Sequence, residues 1–108
     1  MKLAVMTKMT DFGGKNITHS NGSVATFQSV VGECLSVPMD IDRGKDAQYF
    51  YKIFRLGQKI HEAEFVDLSI EELAIIKERV TQSAHLNTVK GRIYDLLEGA
   101  QTLEQVKA

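Results

Sequence analysis

The chain has 108 residues, of which 44% are hydrophobic and 25% charged, and its formal net charge is −1. This length predicts a single domain, residues 1–108, with a modest core, and the composition is that of a folded protein rather than a disordered one. The nearly balanced charge gives no electrostatic reason to expect a nucleic acid or an anionic membrane as a partner.

Cysteine content and hydropathy bear on the cellular setting. Cys34 is the single cysteine, so no disulfide can form within the chain, which fits a reducing compartment. No apolar run approaches the roughly 20 residues of a membrane-spanning helix, and the first ten residues lack the apolar core of a signal peptide. We therefore expect a cytoplasmic protein.

The N-terminal region, residues 1–23, predicts a β-hairpin. Its side chains from Leu3 to Thr10 alternate with the period of a strand, and residues 16–19 can return against it. Gly13 and Gly14 suit the positive backbone angles of the turn between them. An isolated hairpin is marginal in water, so this one must pack on helices or pair with a second chain.

Two helices are predicted next. Thr26 caps the first, which ends before Pro38 and whose apolar stripe is Phe27, Val30, Val31, Cys34 and Leu35. After a polar connection at residues 39–44, Lys45 to His61 form the most apolar helix, which we predict to be the central element. The remaining face of that helix carries a short basic line, and an acidic run begins at Glu62 just after it. The basic line consists of Lys52, Arg55 and Lys59.

Residues 66–99 carry the strongest start and stop signals. Ser69 and Glu72 form a capping box, with Leu68 and Leu73 at the spacing of a hydrophobic staple. The helix that follows should end near His85, after a stripe of Leu73, Ile76, Val80 and Ala84, with Arg79 off this stripe.

A loop of two or three residues leads to a fourth helix, capped by Asn87 or Thr88 and closed by Gly99 in a left-handed conformation. Its apolar stripe contains Val89, Ile93 and Leu97, and Gly91 predicts the close approach of a neighbouring backbone. Residues 100–108 either extend this helix through Leu103 and Val106 or fray. The predicted fold is therefore α+β, mainly α: a compact four-helix domain, with a helical core at residues 26–99 and an N-terminal β-hairpin.

No residue pattern predicts catalysis or a cofactor. Cys34 lies on an apolar stripe, where it counts as a core residue. His61 and Glu64 could give two metal ligands, but no Cys or His pair supplies the others. The glycine pairs fit neither a P-loop nor a dinucleotide-binding turn. We therefore expect no catalytic, cofactor-binding or metal-binding residues, and no enzyme.

Two kinds of macromolecular partner can be compared. The helix pair at residues 66–99 superficially resembles a helix-turn-helix, but Lys90 and Arg92 on its second helix are offset by Asp95 and Glu98. Nucleic acid binding through Lys52, Arg55 and Lys59 is the alternative hypothesis. A protein partner is favoured, because the apolar arc of the second helix and the hairpin edge offer more contact surface than 108 residues readily bury.

Five segments follow one another in a recognisable order: Met9–Lys15, Thr26–Leu35, Tyr51–Phe54, Val66–Lys77 and Tyr94–Glu98. Their order resembles a family of small proteins of unassigned role encoded by tailed bacteriophages and prophages. The resemblance implies the cytoplasm of a bacterial host and brings no catalytic residues. We predict a non-enzymatic protein-binding, assembly or adaptor factor of phage or prophage origin, with a homodimer through the hairpin edge as one option. The alternative is a small nucleic-acid-binding regulatory protein.

Overall fold

The computed structural model describes the backbone of residues 3–107 and the side chains of residues 3–99. The described part contains four α-helices and one pair of antiparallel strands, which confirms the predicted mainly α fold class. In chain order the elements are β1 (Leu3–Ala4), α1 (Phe27–Ser36), a 3₁₀ helix (Asp40–Asp42), α2 (Ala47–Glu62), β2 (Phe65–Val66), α3 (Ile70–Gln82) and α4 (Asn87–Lys107).

Helix α1 lies at the centre of the fold. Thr26 accepts a hydrogen bond from the Ser29 amide, and Ser29 accepts one from the Thr26 amide, so the helix begins at a complete capping box. It packs against both α2 and α3. The predicted stripe is confirmed, because all five of its residues are buried: Phe27, Val30, Val31, Cys34 and Leu35.

The prediction that the second helix is central is wrong. Helix α2 buries only Ile53, Leu56 and Ile60 among its sixteen residues. It packs along α1 on one side, and Phe50, Tyr51 and Phe54 remain exposed. The prediction failed because a wide apolar arc on a helix does not by itself decide whether a second neighbouring element covers it.

Helix α3 begins as predicted. Ser69 and Glu72 form both arms of the capping box, and Leu68 and Leu73 on either side of it are buried. The helix ends at Gln82, three residues before the predicted end, so Ala84 of the predicted stripe lies beyond the helix and is exposed. Ser83 stops it early, because its amide and its hydroxyl both donate to the carbonyl of Val80.

Helix α4 presents its predicted stripe of Val89, Ile93 and Leu97 to the core. The predicted end at Gly99 is wrong, because Gly99 does not take a positive φ and the helix continues to Lys107. The prediction for Gly91 is also wrong, since an added Cβ there would meet nothing within 4 Å. The positions of the Leu103 and Val106 side chains lie outside the described residues.

Buried Arg79 was not predicted, since it lies off the apolar stripe of α3. Its side chain is only 2% exposed. The guanidinium donates to the carbonyls of Cys34 (2.7 Å) and Val37 (2.9 Å) and to the carboxylate of Asp42 (2.6 Å). These bonds tie α3 to the end of α1 and to the 3₁₀ helix, so the polar connection at residues 39–44 is anchored to the core through Asp42.

The predicted reversal of the chain near residues 13–14 is present, but strand β1 does not pair within the hairpin. Thr10 and Asn16 form an antiparallel bridge around the Gly13–Gly14 turn, as predicted for the hairpin. Strand β1, however, pairs with β2, with Leu3 opposite Val66. Leu3 and Val66 are both buried, so this pairing joins the N-terminus to the connection between α2 and α3.

An eight-residue repeat organises the rest of this region. Met9, Ile17 and Ala25 form a closed triangle of backbone hydrogen bonds, in which each amide donates to the carbonyl of another member over 2.8–2.9 Å. Two similar turns separate them: the first turn, residues 11–15, and the second turn, residues 19–23. The sequence signal for this repeat was missed. It consists of threonines at 10, 18 and 26 and glycines at 14 and 22.

Candidate functional site

The basic line of α2 faces the first turn of α3. Lys52 pairs with Glu71, which raises the pKa of the lysine. Lys59 Nζ lies 3.0 Å from Glu72 Oε1 and donates to the carbonyl of Asp67 over 2.7 Å. Two of the three cations proposed for nucleic acid contact are therefore engaged within the protein.

The third cation, Arg55, is exposed and donates to Gln58 on the same helix over 3.1 Å. The Glu72 carboxylate beside Lys59 has a lowered pKa, so its ionised form is favoured. Partial burial would raise its pKa, but hydrogen bonds from Ser69 and Lys59 outweigh that effect and lower it. Two members of the basic line, Lys52 and Lys59, thus bind carboxylates in the first turn of α3.

The histidines are dispersed. His19 Nε2 is hydrogen-bonded to Ser29 Oγ over 2.8 Å, and His61 is exposed at the end of α2. His85 Nε2 lies 3.6 Å from Glu33 Oε1. Among the described residues, no three His, Cys, Asp or Glu side chains come together as a metal ion would require.

Cys34 and His85 line the same cavity, of about 400 Å³, which we call the Cys34 cavity. It lies between the end of α1, residues 37–40 and the connection from α3 to α4. The thiol itself is 2% exposed, and burial raises its pKa. A nucleophilic cysteine needs a lowered pKa, so this arrangement does not activate the thiol.

Helix α2 carries a group of exposed aromatic side chains, which we call the aromatic face: Phe50, Tyr51 and Phe54. Their exposed fractions are 46%, 64% and 59%. The rings of Tyr51 and Phe54 are stacked, with centroids 6.3 Å apart, and Phe50 meets Tyr49 edge to face. Clustered exposed aromatic side chains are typical of protein-binding surfaces, because they give large contact area at low entropic cost.

A groove between α1 and α2 continues from the aromatic face and encloses about 530 Å³. Helix α1 forms one wall, Leu35 and Ile53 contribute apolar surface, and Phe54 stands beside them. No Lys, Arg, Asp or Glu is present among the described residues that line it. The groove can therefore accept apolar surface without desolvating a charge. The α1 residues that line the groove are Gln28, Ser29, Gly32, Leu35 and Ser36.

Comparison with known proteins gives no match: no family model fits the chain, and no curated protein or solved structure is similar to it. The resemblance to phage-encoded proteins therefore stays a hypothesis. None of the helices in the described part of the chain has the length and apolar character to cross a membrane.

Proposed function

We propose that this chain is a small, non-enzymatic protein-binding factor that docks its partner on the aromatic face of α2. The single observation that carries this proposal is the exposure of Phe50, Tyr51 and Phe54 beside an uncharged groove. Interfaces with proteins are built around buried aromatic anchors, and charged residues are depleted at their centres. An assembly or adaptor role fits such a surface, and the resemblance to phage-encoded proteins implies a bacterial host as its setting.

Charge placement favours a protein over a nucleic acid. Affinity for nucleic acids comes largely from phosphate contacts by free Lys and Arg side chains. On α2, Lys52 and Lys59 instead bind the carboxylates of Glu71 and Glu72, which leaves Arg55 as the member of the basic line without a carboxylate partner among the described residues. We therefore place the nucleic-acid-binding regulator second.

Affinity co-purification from a bacterial host lysate tests the proposal, with two matched variants of α2. The double variant Tyr51→Gln, Phe54→Gln removes the anchors, whereas Arg55→Glu reverses the exposed charge beside them. We expect a stoichiometric protein partner that is lost with the double variant and retained with Arg55→Glu.

The opposite pattern supports the alternative. Salt-sensitive binding to duplex DNA that Arg55→Glu abolishes and the double variant leaves intact would overturn the proposal. Circular dichroism of each variant checks that the helices are retained, so a loss of binding can be assigned to the surface.

A further inference from the structure

Phe12 is the most exposed large hydrophobic side chain among the described residues, at 92%. It stands at the tip of the first turn, directly before Gly13 and Gly14. The fold does not need an apolar side chain there. The second turn has the same backbone hydrogen bonds, with Ser20 at the equivalent place. The second turn therefore shows that this backbone conformation forms without an aromatic side chain at the tip, and it leaves Phe12 available for a contact outside the chain.

The first turn holds Phe12 in a fixed position. Asp11 Oδ1 accepts from the amides of Gly13 (2.9 Å) and Lys15 (3.0 Å), and Gly14 takes a φ of +85°. Arg92 of α4 donates to the carbonyls of Thr10 (3.1 Å) and Asp11 (2.9 Å) from outside the turn. A side chain on such a pre-organised turn loses little conformational entropy on binding.

The Cys34 cavity offers a matching site. Its described lining combines apolar Val37, Pro38 and Met39 with the carboxylates of Glu33 and Asp40, and contains no Lys or Arg. Glu33 faces His85, and Asp40 Oδ1 lies 3.6 Å from the exposed Arg43. A partly apolar cavity of this size, with acidic groups among its lining, suits an aromatic side chain that is flanked by a cation.

We propose that Phe12 of one copy inserts into the Cys34 cavity of a second copy. Exposed Lys15 stands three residues after Phe12 and would face the carboxylates of Glu33 and Asp40 in the second copy. The two surfaces differ, so the contact is heterologous and each copy can bind one neighbour at each end, which builds a ring or a filament. This inference does not depend on the aromatic face of α2, and it replaces a symmetric pairing of hairpin edges by head-to-tail assembly.

Sedimentation velocity across a range of concentrations tests the assembly with two single variants. Phe12→Ser copies the second turn and removes the inserted side chain, while Val37→Arg places a cation in the cavity. Each variant alone should sediment as a monomer at concentrations at which the wild type associates. Loss of a central aromatic anchor should weaken association by roughly tenfold or more relative to the wild type. The Tyr51→Gln, Phe54→Gln protein should assemble like the wild type, which separates this inference from the proposed function.

Mixing the two defective variants gives the decisive result. Phe12→Ser retains the cavity and Val37→Arg retains Phe12, so together they should form a 1:1 dimer that cannot grow further. A wild-type protein that stays monomeric at the highest attainable concentration would overturn the inference. Undiminished assembly of Phe12→Ser, or a mixture that contains only monomers while both variants keep their circular dichroism spectra, would also overturn it.

Discussion

Helices α1 and α3 differ from α2 in how they use their side chains. The stripe of α1 is buried, as are Leu73, Ile76 and Val80 of α3, and α3 even buries the charged Arg79. Helix α2 buries three residues and leaves Phe50, Tyr51 and Phe54 on the surface. Large side chains therefore have two roles in this protein. The buried ones of α1 and α3 stabilise the fold, whereas the solvent-exposed ones of α2 are available for contact with another molecule.

Replacing Arg79 should have the largest effect on stability. Arg79→Met leaves the Asp42 carboxylate and the carbonyls of Cys34 and Val37 without their donor, and breaking such a buried ion pair costs about 3–5 kcal/mol. Urea unfolding followed by circular dichroism measures this loss. Arg55→Met on the exposed side of α2 is the matched control and should change the free energy of unfolding by less than about 0.5 kcal/mol. Equal losses of unfolding free energy for the two substitutions would contradict a stabilising role for the buried Arg79.

Asp42 should make the same region sensitive to acid. The hydrogen bond from Arg79 lowers the pKa of Asp42 in the folded protein. Its contribution is therefore fully present above the ordinary carboxyl pKa of about 4, and it is lost as the pH falls through the lowered value. Asp42→Asn should cost about 1.5–3 kcal/mol at pH 7, as expected for a hydrogen bond to a charged group.

The pH dependence distinguishes this role from simple packing. The difference in unfolding free energy between wild type and Asp42→Asn should shrink as the pH is lowered below about 4. Unfolding curves at several pH values measure it. A difference that stays constant down to the lowest pH at which the protein folds would show that the charge of Asp42 is not involved.

Changes to the aromatic face should have the smallest effect on stability. Tyr51→Gln with Phe54→Gln alters side chains that are more than half exposed, so we expect a change within about 1 kcal/mol. Ile53→Ala on the buried side of the same helix should instead cost at least about 2 kcal/mol. Thermal unfolding of both variants checks this contrast, and a large loss in the double variant would mean that the aromatic face supports the fold.

Local signals predicted much of the helical fold. The caps at Thr26 and Ser69 and the apolar stripes of α1 and α4 depend on residues close together in the chain, and each lies where it was predicted. The end of α4 was wrong because a glycine permits a left-handed residue without requiring one. The eight-residue repeat is visible in the sequence as regularly spaced threonines and glycines. These residues also occur in ordinary turns, so their spacing alone did not predict the hydrogen-bonded triangle.

The candidate surfaces were harder to predict. The sequence indicated that α2 carries more apolar surface than a small domain needs, but not which side would be covered. The exposure of Phe50, Tyr51 and Phe54 follows from the packing of α2 along α1. Likewise, the pairing of Lys52 and Lys59 with Glu71 and Glu72 brings together residues on different helices.

The sequence by itself determined where α1 and α3 begin and which stripes α1 and α4 bury, because capping and helical periodicity act over a few residues. Only the tertiary structure decided that β1 pairs with β2, that Arg79 is buried and that Phe12 and the aromatic face remain exposed. These outcomes depend on contacts between distant segments. The Asp42–Arg79 pair, for example, joins residues 37 positions apart, and such a contact forms only after the helices have packed.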